Sequence, residues 1–211
     1  VDGFRLDTAN YYAYDRQLRD NHKRPAVSLP MEDGQEANPL SWYITKYSKD
    51  RPENLEFIHF LRNIFNEKAS ITSIAEIGSG SGLEATLKLG TDYVKHGDGL
   101  HMAYTFAMLS KEMNVEYLDH VVRFTEEIIE DGWPCWSLSN HDCTRMITRF
   151  NCFAERDGFQ QMMLLLLLSL RGTPIIYYGE EVDMEEYPIS KDEVRDPQGI
   201  RFWPDIKGRD G

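Results

Sequence analysis

The chain has 211 residues, 41% hydrophobic and 27% charged, the make-up of a packed domain, and this excludes a disordered chain. Its 35 acidic residues against 23 basic ones leave a formal net charge of −12, which repels phosphate backbones and argues against a nucleic-acid partner. No stretch reaches the roughly 20 apolar residues needed to cross a bilayer, so no membrane partner is expected.

Residues 1–6 read as a strand. The chain starts as if in mid-strand, without a methionine or a basic leader, and so reads as a fragment with no secretion signal. Residues 20–52 are polar and hold Pro25, Pro30, Pro39 and Pro52, which predicts a long loop of the kind that carries function. Residues 53–67 place Leu55, Ile58, Leu61 and Phe65 at helical spacing, with Phe57, Phe60 and Ile64 widening the stripe. A strand follows over 70–77, then a possible helix over 83–89 and a strand over 100–106. Val115, Leu118, Val122, Thr125 and Ile129 mark the face of the next helix. Residues 133–138 read as a strand and 160–170 as a buried core helix, with Gly172-Thr173-Pro174 turning into a last strand over 175–178. The tail from 183 is charged and irregular. Cys135, Cys143 and Cys152 form no CxxC pair, so neither a disulfide scaffold nor a zinc knuckle is expected.

Alternating strands and helices imply an α/β fold around a parallel sheet, open or closed into a barrel. In such sheets a ligand sits beyond the carboxyl ends of the strands. The polar residues falling there are Arg5 and Asp7, Glu76, Asn140-His141-Asp142, and Glu180 with Glu181. Arg5 and Asp7 lie two apart on extended chain and share a face, where a guanidinium keeps a carboxylate ionised, as a nucleophile requires. A structural ion pair is the other reading. Glu76 ends a strand of small and apolar residues, surroundings that raise the proton affinity of a carboxyl group and suit a general acid. Its other reading is a cap or a loop anchor. Asn140-His141-Asp142 offers donors and a negative charge, or else a helix-capping turn. Together, three carboxylates end three strands. Two of them about 5–5.5 Å apart would support retaining glycoside hydrolysis, with the third stabilising an oxocarbenium-like transition state.

Val1-Asp2-Gly3-Phe4-Arg5-Leu6-Asp7 resembles the second sequence region of the α-amylase family, glycoside hydrolase family 13. Ala75-Glu76-Ile77 resembles its third region and Ser139-Asn140-His141-Asp142 its fourth. Gly172 to Glu181 is similar to its last barrel strand and the following loop. Gln17 to Asn21, Pro52 to Leu55, Gly132 to Trp136 and Lys207 to Gly211 resemble the bacterial α-glucosidase branch, beside the oligo-1,6-glucosidases. The resemblance implies the fourth to eighth strands of a TIM (β/α)8 barrel. Residues 1–182 would be its second half and 183–211 an irregular region after the last strand. It implies Asp7 as nucleophile, Glu76 as acid/base and Asp142 as transition-state stabiliser, with Arg5 and His141 on the substrate. The substrate would be a small oligosaccharide or glucoside. Thr8, after the nucleophile, leans toward α-1,4 linkages; α-1,6 hydrolysis or transglycosylation is the alternative within the family.

The resemblance implies no cofactor, and any divalent-ion site of the family would lie outside this stretch. The first three barrel strands and a C-terminal β-domain are absent, so the 211 residues alone are expected to be poorly stable and inactive. Two departures stand out: Tyr178 replaces the usual glutamine, and Ala75 a common glycine. Two other classes compete. Glu76 to Gly82 also looks like the first motif of S-adenosylmethionine-dependent methyltransferases, which would require a further strand ending in an acidic residue about 20 residues on. A non-catalytic, amylase-like transporter or scaffold subunit is the other.

Overall fold

β1 (Gly3–Leu6) opens the chain and delivers Arg5 near its end. β2 (His22–Lys23) and β3 (Tyr43–Ile44) then pair antiparallel, His22 opposite Ile44, so the flanks of the expected long loop close on each other as a small ladder. The structure, a computed structural model, describes residues 1–25, 42–67, 70–78, 82–110, 114–150, 158–201 and 203. The loop's middle, Cys152, the end of the tail and residues 79–81 of the glycine-rich segment lie outside them.

α1 (Glu53–Asn66) starts after Pro52, with Glu53 and Glu56 in its first turn where the helix dipole favours negative charge. It buries Asn54, Ile58 and Phe65. Phe57, Phe60 and Ile64, expected to widen the buried stripe, stay largely exposed instead, with the rings of Phe57 and Phe60 stacked on each other. Leu55 and Leu61 pack against the core beside Ile58 and Phe65, and the three exposed residues lie outside that contact.

β4 (Thr72–Ile77) is followed by α2 (Leu83–Asp92) and β5 (Met102–Thr105). α3 (Val115–Ile128) begins at Asn114, whose side chain accepts from the Tyr117 backbone N–H. That cap puts Val115 at the first helical position, where it is exposed, while Val121, absent from the expected face, is fully buried. β6 (Pro134–Ser137), the short α4 (Met146–Arg149) and α5 (Phe159–Ser169) come next. α5 is not buried all round: Met163 and Leu167 are covered, while Met162, Leu165 and Leu168 are exposed.

β7 (Thr173–Ile175) lies earlier than the expected strand over 175–178. Pro174 sits inside it, opposite Trp136. Having no N–H, Pro174 gives no donor to the ladder at that position. Gly172 makes the entry possible: its φ is +133°, and a Cβ there would stand 2.6 Å from the Pro134 carbonyl oxygen. α6 (Pro197–Arg201) interrupts the tail expected to be irregular.

β1, β4, β5, β6 and β7 form one parallel sheet in that order, with β1 and β7 at its edges among the described residues. Two apolar cores flank it. One packs Ile58 and Phe65 of α1 against Leu6, Ala75 and Ile77. The other gathers Val121, Trp136, Leu138, Met146, Met163 and Leu167. No helix among the described residues is long and apolar enough to cross a membrane.

Candidate active site

The register of the sheet builds the site. Leu6 pairs with Ala75, so Asp7 leaves β1 level with Glu76, and Glu76 pairs directly with Tyr104 of β5. In-register residues of parallel strands lie on one face. Three neighbouring strand ends therefore present Arg5 and Asp7, Glu76 and Tyr104 to one another.

Arg5 connects them. Its Nη1 donates to Asp7 Oδ1 at 2.7 Å, and its Nη2 donates to Glu76 Oε2 and, at 3.3 Å, to the Tyr104 hydroxyl. Tyr104 donates in turn to Glu76 Oε2 at 2.5 Å. Burial would weaken the hold of Arg5 on its proton, but the bonds to Tyr104 and Asp7 and the charge of Glu76 outweigh it, so the guanidinium stays charged. Burial, followed by the bond to Glu76, raises the proton affinity of the Tyr104 hydroxyl. Asp7 keeps 67% of its side chain exposed, whereas Glu76 keeps 5%. The surroundings expected for Glu76 need correction. Its strand neighbours are small or apolar, but its carboxylate meets a guanidinium and a phenol rather than apolar walls.

The loop after β1 is held from below. Asn10, fully buried, donates to Asp50 Oδ1 at 2.5 Å and to the Gly78 carbonyl at 2.7 Å, tying the loop behind Asp7 to the one behind Glu76. Asn54 of α1 donates to the Ala9 carbonyl and the Tyr93 hydroxyl, and Tyr12 donates to the Asp7 carbonyl at 2.9 Å. Within this frame Thr8 adopts φ 42°, ψ 48°, so it is a left-handed corner beside Asp7 and not a strand residue. That conformation is costly for a β-branched side chain and persists only where the surroundings impose it.

Beyond β6, Asn140 Oδ1 accepts from the Asp142 N–H at 3.0 Å, which sets the turn presenting His141 and Asp142. His141 Nε2 lies 3.5 Å from Asp142 Oδ2, and both side chains are close to half exposed. They share the carboxyl edge of the sheet with Asp7 and Glu76, two strands away from Glu76. Arg145 clamps the same region. Its guanidinium lies 4.6 and 4.9 Å from the ring centres of Tyr177 and Tyr178, and it donates to the Tyr178 carbonyl at 2.7 Å. Tyr178, the departure from glutamine, is thus half of a cation–π seat.

Glu180 and Glu181 anchor loops. Glu181 caps the Gly179 N–H at 2.8 Å, and Glu180 is buried and accepts from the Tyr177 N–H at 2.9 Å. Burial pushes the Glu180 carboxyl up from its ordinary range, against bonds from Ser139 and Tyr177 and the charges of Arg149 and Arg145. A carboxyl group more basic when folded contributes its full stability below the unfolded pKa of about 4.3, and that contribution falls as pH rises through the folded value. Glu180→Gln, which mimics the protonated form, is therefore expected to gain stability over wild type as pH rises from 4.5 to 8. Thermal midpoints of the two proteins across that range check it; a gap that does not widen contradicts the sign.

Sequence reading missed Tyr104, Arg145, Asn10 and Asn54. Only for Tyr104 is there a signal, since it stands near the end of a strand predicted to neighbour that of Glu76. Among the described residues, His96, Glu130 and Asp131 bring one ligand atom each within 4.8 Å of one another. They precede β5 and β6, at the opposite edge of the sheet from Glu76. The methyltransferase reading fails on the chain after the glycines. α2 forms, but the segment after it is a 3-10 turn at Lys95–Gly97, and β5, the next strand, ends on Thr105.

The model of the alpha amylase catalytic domain matches residues 1–211. The chain belongs to the α-amylase family. Its sheet is accordingly part of the family's TIM barrel. Among α-amylase relatives, a probable alpha-glucosidase of Rhizobium meliloti (strain 1021) is 38% identical over all of this chain and 38% of its own length. A probable oligo-1,6-glucosidase 2 of Bacillus subtilis (strain 168) is 27% identical over 76% of this chain and 32% of its own length. The crystal structure of the alpha-glucosyl transfer enzyme XgtA superposes with a TM-score of 0.88 at 37% identity, over all of this chain and 38% of that one. The chain thus spans 32% to 38% of the length of these relatives.

Proposed function

We propose that this chain carries the bond-cleaving groups of a retaining α-glucosidase acting on terminal α-1,4-linked glucose of short maltooligosaccharides. The observation that carries the reading is Arg5, which holds the exposed carboxylate of Asp7 and the buried carboxylate of Glu76 on the two nitrogens of one guanidinium. Two carboxyl groups at that proximity suit a double displacement. Asp7, open to solvent and held by Arg5, attacks the anomeric carbon. Glu76 protonates the departing glycosidic oxygen and afterwards deprotonates the incoming water. Asp142 supplies negative charge to the oxocarbenium-like transition state, while Arg5 and His141 contact the sugar. Thr8, fixed as a corner beside Asp7, limits the space for the second sugar and favours the α-1,4 linkage.

The names of the relatives support this reading, and one of them favours a second. XgtA is an alpha-glucosyl transfer enzyme, and transfer differs from hydrolysis only in the acceptor of the second step, a sugar hydroxyl in place of water. Incubating the full-length protein with maltose and with isomaltose, and following products by proton NMR, tests both. The expected result is α-glucose as the first product, faster from maltose. β-Glucose as the first product overturns retention. Faster release from isomaltose overturns the linkage. Trisaccharide as the main early product favours transfer.

A further inference from the structure

Tyr104 is the one group of the site network to which the proposed mechanism gives no task. It is 5% exposed, pairs in register with Glu76, and its ring stacks on Phe106 at 6.4 Å and 24°, which fixes where its hydroxyl points. Both donors to Glu76, the Tyr104 hydroxyl and Arg5 Nη2, end on Oε2. Among the described residues, Oε1 receives no donor. A carboxylate oxygen that accepts two N–H or O–H bonds has its lone pairs engaged, and a proton placed there would face two other protons.

We propose that Tyr104 is a positioning residue that engages Oε2 of Glu76 and makes Oε1 the oxygen that exchanges a proton with the leaving group. This rests on Glu76 being the acid/base. In the first step the Oε1–H bond breaks and its proton moves to the glycosidic oxygen. The C1–O bond breaks with its electron pair going to that oxygen, and an Asp7 oxygen bonds to C1. In the second step the proton of the attacking water returns to Oε1 as the water oxygen displaces Asp7. Oε2 is a hydrogen-bond acceptor throughout. Burial keeps the Tyr104 hydroxyl protonated and so a donor across the working range of pH.

The test compares maltose, whose leaving group needs a proton, with 4-nitrophenyl α-glucoside, whose leaving group does not, in the full-length protein. Tyr104→Phe is expected to lower kcat/KM on maltose roughly 10- to 100-fold, part of the roughly 10²–10⁴-fold that general acid catalysis supplies. On the aryl glucoside the loss should stay under about threefold, as no acid is needed there. A purely structural role would lower both in parallel, so parallel losses, or no loss, overturn the proposal. Glu76→Gln is measured beside it. If that variant treats the two substrates alike, Glu76 is not the acid and the proposal falls with that reading. If Glu76→Gln discriminates and Tyr104→Phe does not, only the role of Tyr104 falls. Should Tyr104→Phe not fold, 3-fluorotyrosine at position 104 keeps the shape with a stronger donor. A changed maltose-to-aryl ratio then supports the proposal, and an unchanged one overturns it.

Discussion

Asp7→Asn in the full-length protein is expected to lose turnover by a factor on the order of 10⁴ to 10⁶, the range seen when an enzyme loses its nucleophile. The same variant should melt close to wild type. Asp7 is mostly exposed and among the described residues its side chain pairs with Arg5, itself 41% exposed. Surface ion pairs of that kind contribute about 0–1 kcal/mol. The asparagine keeps an oxygen in the same place to accept from Arg5 Nη1, so the network that holds Glu76 stays assembled. Rate and stability therefore separate at this position, which is the signature of a residue whose work is chemical. Initial rates on maltose together with a thermal melt check both halves. A variant retaining a few per cent of activity would remove Asp7 from the nucleophile's role. One that also melted many degrees lower would make it a structural residue instead.

The contrast between Asp7 and Glu76 was only half legible in the sequence. Strand–helix alternation placed both at strand ends, and the two-residue spacing put Arg5 beside Asp7. What the sequence could not carry was register. Tyr104 lies 28 residues beyond Glu76, and nothing local to either says that they pair; that follows from how β4 and β5 align. The same limit explains the environment of Glu76. Its own strand is apolar, but the groups its carboxylate meets come from two other strands. Thr8 shows a different limit. The sequence says nothing of its backbone, and it is the bonds from Asn10, Asn54 and Tyr12 around it that hold a left-handed corner.

Helices were legible where one face clearly outweighed the other. α1 appears within a residue of its expected bounds and α3 spans the expected face, yet Val115 is exposed at the first helical position and Val121 is buried. In α5 every residue from 162 to 168 is apolar, so periodicity could not say which face meets the sheet. The structure selects Met163 and Leu167 and leaves Met162, Leu165 and Leu168 outside. The start of β7 was obscured by Pro174, which has no N–H to give a ladder and so reads as a turn.

Glu76→Gln should divide substrates by their leaving groups. A neutral amide keeps the volume of Glu76 and can still accept from Arg5 and Tyr104, so the fold around the buried side chain is preserved. The proton for the departing oxygen is gone. Maltose, whose leaving sugar hydroxyl is a poor leaving group, should lose roughly 10²–10⁴-fold in kcat/KM, the usual contribution of general acid catalysis. 4-Nitrophenyl α-glucoside forms the glucosyl-enzyme without that proton and should lose far less in this step. Its second step still needs a base to activate water, so the intermediate should accumulate, giving a burst of nitrophenol followed by slow turnover. Added azide, a nucleophile that needs no deprotonation, should raise the steady rate and yield the glucosyl azide of retained configuration. Azide that fails to restore the rate, in a variant that folds and shows a burst, would mean that Glu76 is not the base of the second step. Its tie to Arg5 would then be a strand-end ion pair rather than part of the reaction.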